Sequence, residues 1–94
     1  MNELFCVNEI VGKKDMLAEF GLFASMCISS DGRCLLIGYS DAIVAIDLLT
    51  KELIGISRGI KYISSISFFS SDKKVIIGTW TNTHIVDFSE LFDL

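Results

Sequence analysis

The chain has no proline, a single histidine, a single tryptophan and only three cysteines. Each shortage removes a class of function. One histidine, His84, and no CxxC spacing among Cys6, Cys27 and Cys34 leave no metal-ligand set. The glycines are isolated, so no loop is built to cradle a phosphate. No apolar run approaches the ~20 residues that cross a bilayer, and no membrane association is expected. The opening residues show neither a basic stretch nor a long apolar core, so no secretory signal is expected. Eight Lys and Arg against twelve Asp and Glu give a net charge of −4, opposite to the basic stripe of autonomous nucleic-acid binders. Without proline, low-complexity sequence or a linker, there is no domain boundary to place. An odd number of scattered cysteines reads as reduced thiols in a cytoplasmic protein. Cys27 and Cys34 flank a hairpin turn and are expected to be two small buried hydrophobes.

Hydrophobic residues, by contrast, make up 51% of only 94 positions. A chain of this length leaves much of its surface in water, because burial rises slowly with size. So much apolar sequence implies surfaces meant for neighbours, and an isolated chain is expected to self-associate.

Residues 26–48 organise the chain. Three apolar runs are separated by Ser30, Asp31, Gly32 and Arg33, then by Gly38, Tyr39, Ser40 and Asp41, and are closed by Asp47. Ser and Asp bond their own backbone in turns and Gly supplies positive φ, so the pattern is short strands joined by tight turns. The stretch recurs at 66–88. Ser29, Ser30 and Asp31 match Ser70, Ser71 and Asp72 at a shift of 41, and Gly38 and Asp47 match Gly78 and Asp87 at a shift of 40. A period of roughly 40–45 residues with four strands per unit is the mark of propeller blades.

The expected fold is all-β: between two and three β-propeller blades in an incomplete ring. Residues 1–23 would give the last two strands of one blade, with 17–20 read as strand from the repeat frame although Met, Leu, Ala and Glu favour helix. Residues 24–63 would form a complete blade, with strands near 25–29, 34–37, 43–46 and 53–57. Residues 64–94 would give three strands of a further blade, near 65–69, 75–77 and 83–86, the tail stopping where a fourth should begin. So few blades cannot close, and the first and last would expose edges and faces.

His84 is expected at the outward polar position of its strand with Asp87 on the other face, so no Ser–His–Asp arrangement can form. No catalytic residue, cofactor, metal or small-molecule substrate is expected. Lys13, Lys14, Arg33, Lys51, Lys73 and Lys74 fall in turns sharing one propeller face, interleaved with Glu9, Asp15, Asp31, Glu52 and Asp72. Arg58, Lys61 and Trp80 map to the opposite face. Trp80, Arg58, Lys61, Lys73 and Lys74 are therefore the candidate partner contacts, an exposed Trp being a frequent hot spot.

These residues resemble the WD40 repeat. Ser29, Ser30, Asp31 and Gly32 resemble its Ser–Pro–Asp–Gly turn, and Gly38 to Asp41 its Gly-x-x-Asp turn. Ile46–Asp47 and Val86–Asp87 stand where it has Trp–Asp, and Gly21–Leu22 where it has Gly–His. Both tryptophans are replaced by aliphatic residues. Of the family's buried Asp–His–Ser/Thr–Trp network only Asp41 is in place, with Thr81 at the matching position, so Asp41 is expected to cap its own turn. From 53 to 94 the chain looks most like later blades of the receptor for activated C kinase family, notably at Ile63, Ile66, Phe69 and Ser70. That resemblance implies a non-catalytic scaffold bound to the small ribosomal subunit, with ribosomal proteins and rRNA as partners. Its rRNA-contacting residues have no counterparts here. The rivals are a WD40 subunit of another protein assembly and a truncated structural remnant.

Overall fold

The computed structural model describes residues 19–94. Two antiparallel meanders make up almost all of it. The first sheet runs in order β1 (Phe23–Ile28), β2 (Cys34–Tyr39), β3 (Ala42–Asp47) and β4 (Glu52–Arg58). The second is β5 (Ile63–Phe69), β6 (Lys74–Thr79) and β7 (Thr83–Asp87), followed by one turn of helix, α1 (Phe88–Leu91). The seven strands overlap the seven apolar runs between residues 25 and 86.

The turns form where small polar side chains replace water on the backbone. After β1, Ser29 Oγ donates to Asp31 Oδ1 at 2.6 Å and accepts from Cys34 N–H at 3.0 Å. The same Asp31 oxygen accepts from Arg33 N–H at 3.0 Å, and Gly32 takes the left-handed φ of 75°. After β3, Asp47 accepts from the N–H groups of Leu49 and Thr50 at 2.9 and 3.2 Å. The β5–β6 turn is built differently. Ser70, Ser71 and Asp72 are all left-handed, with φ of 56°, 56° and 67°, a conformation costing L-residues about 1–2 kcal/mol each.

The sequence repeat is also a repeat of register. Gly38 opposes Ser25 and Ile43, and Gly78 opposes Ser65 and Thr83, each position displaced by 40. Directly opposed residues share a face, so the two faces can be traced. Leu36, Ile43 and Ala45 of the first sheet bury against Ile66, Val75 and Ile77 of the second. Displaced by 40, the first set becomes Ile76, Thr83 and Ile85, which lie on the far side of the second sheet. The sheets therefore stack head to tail, like face never meeting like face. The other face of the first sheet buries Leu35, Ile37, Val44 and Ile46 with Phe20. Complete burial of a side chain such as Leu36 or Ile46 is worth about 1.5–3 kcal/mol.

Two polar ties pin the sheets at opposite ends. Ile63 N–H donates to the Ser40 carbonyl at 3.1 Å. At the other end, the Asp72 carboxylate accepts from Ser30 N–H at 3.1 Å and from the Ser30 hydroxyl.

Three expectations change. Glu19 and Phe20 are helical, not strand; propensity prevails there, and the remainder of the strand expected at 17–20, with the other strand expected within residues 1–23, lies outside the described residues. The tail turns into α1, with Phe88, Leu91 and Phe92 packed into the core between the sheets. His84 does not point outward: it opposes the buried Ile77 and shares the face of Val86, while Ile85 faces solvent. The hydrophobic demand of the inter-sheet core sets the alternation, and Val86 rather than Ile85 meets it.

Candidate interaction surfaces

Strand direction divides the chemistry-bearing residues between two ends. At the end of the 40–41 turn lie Arg58, Lys61, Tyr62 and Trp80. Trp80, 76% exposed, stacks on Tyr62 with centroids 4.9 Å apart and planes inclined by 24°. Tyr62 sits at φ 62°, so the backbone between β4 and β5 is bent left-handed where it presents this ring. Arg58 is engaged already: its guanidinium lies 5.1 Å over the Phe20 ring and pairs with Glu19 at 3.3 Å. Such a half-exposed pair is worth well under 1 kcal/mol. Lys61 is exposed beside Tyr62. The structure thus groups Arg58, Lys61 and Trp80 at one end, as expected, and adds Tyr62, which is not among the expected contacts.

The opposite end carries the 29–33, 48–51 and 70–73 turns, with Arg33, Lys51 and Lys73 among Asp31, Asp47 and Asp72. Lys13, Lys14, Glu9 and Asp15 lie outside the described residues. Lys74 is not a free contact, because its Nζ donates to Asp87 at 2.6 Å across β6 and β7; that bond raises the ammonium pKa. Asp87 consequently gives α1 no side-chain cap although it occupies the N-cap position. Asp41 makes no side-chain hydrogen bond into its turn among the described residues; its carboxylate lies against Gly21.

Between these turns an open hollow of about 230 Å³ is lined by Asp31, Arg33, Cys34, Asp47, Phe68 and Asp72. Cys34 is a poor nucleophile there. Burial, followed by the neighbouring Cys27 and the Asp31, Asp47 and Asp72 charges, pushes its thiol up to about 11. Cys27 is likewise raised by burial, and neither is bridged. Among the described residues no three His, Cys, Asp or Glu side chains are gathered to hold a metal. No helix among them is long and apolar enough to cross a membrane.

A third surface had no single-residue signal. The far face of the second sheet carries Ser67, Phe69, Ile76 and Ile85, and Ile85 and Phe69 are 58% and 48% exposed. The equivalent face of the first sheet is covered.

No protein-family model and no curated protein matches the chain. Several solved structures share its fold, among them the following two. Hydrazine synthase from Kuenenia stuttgartiensis superimposes with a TM-score of 0.65 at 16% identity, over 73% of this chain and 21% of its own. The β-propeller domain of Cps50 (Swd1) from Myceliophteria thermophila superimposes with a TM-score of 0.57 at 17% identity, over 67% of this chain and 21% of its own. The chain thus spans about a fifth of either structure. Its fold is that of a β-propeller: among the described residues, blades of four and three strands that do not close a ring.

Proposed function

We propose that the chain is a non-catalytic scaffold in the cytoplasm whose open blade faces and turns bind other proteins within a large assembly. The observation that carries this reading is the bare far face of the second sheet. It repeats, in register, the face by which the first sheet holds a neighbouring sheet, yet Ile85 and Phe69 remain in water. Covering such side chains supplies about 25 cal/mol per Å². The exposed Tyr62–Trp80 stack with Lys61, and Lys73 on the opposite end, are the proposed partner contacts. The likeness of residues 53–94 to the receptor for activated C kinase supports the small ribosomal subunit, with its proteins and rRNA, as the partner assembly.

Sucrose-gradient sedimentation of native lysate, probed for this chain at low and high salt, tests the proposal. Co-migration with the small subunit that weakens with salt is the expected result. Migration in a different large particle would retain the scaffold and discard the ribosomal partner. A small species at both salt concentrations would overturn the scaffold reading.

A further inference from the structure

Among the described residues, four strands form sheet edges: β1, β4, β5 and β7. The first three are irregular. The register shifts between Phe23 and Ser25 on β1, between Leu53 and Gly55 on β4, and between Ile63 and Ser65 on β5. Such bulges bend an edge and spoil its pairing with another chain. β7 has none, pairing with β6 in unbroken register from Thr83 to Asp87. It carries no lysine, arginine or proline.

The hydrogen bonds flanking β7 show which way its backbone faces. Phe88 N–H donates to Lys73 O and Thr79 N–H to Asn82 O, each at 2.8 Å. Both pairs belong to the β6–β7 register, so even-numbered residues of β7 turn their N–H and C=O groups toward β6. Alternation then turns those of Thr83, Ile85 and Asp87 outward. Among the described residues no other segment donates to or accepts from them.

We infer that β7 is a homodimerisation edge, pairing antiparallel with β7 of a second copy about a two-fold axis at Ile85. Centring on Ile85 is the arrangement that satisfies all three outward residues. Ile85 opposes itself, and Thr83 opposes Asp87 of the second copy, each pair exchanging two N–H···O=C bonds. Side chains agree with that register. The two exposed Ile85 side chains cover each other, Thr83 hydroxyls meet Asp87 carboxylates, and no like charges are opposed. On the other face His84 stands opposite Val86. The product is a continuous six-stranded sheet with a closed, self-complementary interface. This pairing draws on Ile85, which the scaffold reading also counts, but it leaves Phe69, the Tyr62–Trp80 end and Lys73 in place and does not depend on that reading.

Sedimentation equilibrium of the purified chain is the test, with Ile85→Lys and Phe69→Lys alongside. Ile85→Lys should weaken the dimer ~10-fold or more, through the lost Ile pair and the opposed ammonium groups. Phe69→Lys lies on the same exposed face but on β5, and should leave dimerisation unchanged. Amide exchange of the unmutated chain gives a check independent of variant folding. Thr83, Ile85 and Asp87 amides should gain protection as concentration rises, while those of His84 and Val86 stay protected throughout. A chain that remains monomeric at ~100 μM, a hundredfold above a micromolar dissociation constant, overturns the inference. So does a dimer that Phe69→Lys weakens as much as Ile85→Lys, or outward amides whose exchange ignores concentration.

Discussion

Phe92 packs directly against Gly55. A Cβ added to Gly55 would stand 3.2 Å from Phe92 Cδ1 and 3.3 Å from Phe92 Cβ. Phe92, beyond α1, thus covers the inner side of β4, where a side chain at Gly55 would need the ring to shift by a few tenths of an ångström.

The pair makes stability depend on the tail. Phe92→Ala should cost about 3 kcal/mol by opening a cavity under a ring that is 7% exposed. Gly55→Val should cost about 1–3 kcal/mol by overpacking the same contact. Urea unfolding followed by circular dichroism measures both. An unchanged midpoint for both variants would detach the tail from the core.

Gly21 is fixed by its neighbour and its backbone. Its φ is 82°, and a Cβ there would collide with Ser40 Oγ, the oxygen that accepts Leu22 N–H at 3.1 Å. Gly21→Ala should therefore destabilise by about 1–2 kcal/mol or more. Ser71→Gly should do the reverse, relieving a left-handed serine, by up to about 1 kcal/mol. Thermal melts of the two variants should move in opposite directions.

Cys34 supplies the pH dependence. Burial and the neighbouring Cys27 and carboxylates push its thiol up to about 11 on folding, above an ordinary cysteine, and Cys27 shifts the same way. The unfolded chain therefore loses these protons first as pH rises, and protons bound only by the native state favour it. Their stabilising contribution is complete below about pH 9 and disappears through about pH 11. Alkylation of Cys34 at pH 8 should be much slower in the native chain than in urea. Equal rates would remove the burial argument.

Trp80 is the sole tryptophan, so its fluorescence reports one site. Free chain should emit as a solvent-exposed indole, and binding at the 40–41 end should shift emission to the blue. Trp80→Ala should leave the unfolding midpoint within ~0.5 kcal/mol, as for exposed positions generally, while weakening partner capture. An emission maximum insensitive to every partner fraction would exclude this end as the contact.

The turns were legible because their chemistry is local. Ser29, Asp31 and Gly32, or Asp47 with the two residues after it, bond backbone groups within five positions. The strand runs and the 40-residue displacement followed from the same turns and apolar alternation. The orientation of His84 was not legible in the sequence, because THIVD alternates polar and apolar residues without saying which set meets the neighbouring sheet. Tyr62 under Trp80, Phe92 on Gly55 and the smooth edge of β7 left no mark in composition or spacing. Each joins residues far apart in sequence, or depends on an edge being left unpaired.

The sequence by itself determined the all-β class, the position of the seven strands and the period that makes two blades of one pattern. Backbone turn chemistry and two-residue alternation act over a few residues and need no tertiary context. Only the tertiary structure decided that the blades stack head to tail, that Lys74 is spent on Asp87, and that Ile85 faces water. Those outcomes depend on which of two apolar faces is covered, and that is settled by the competition among all surfaces of the folded chain.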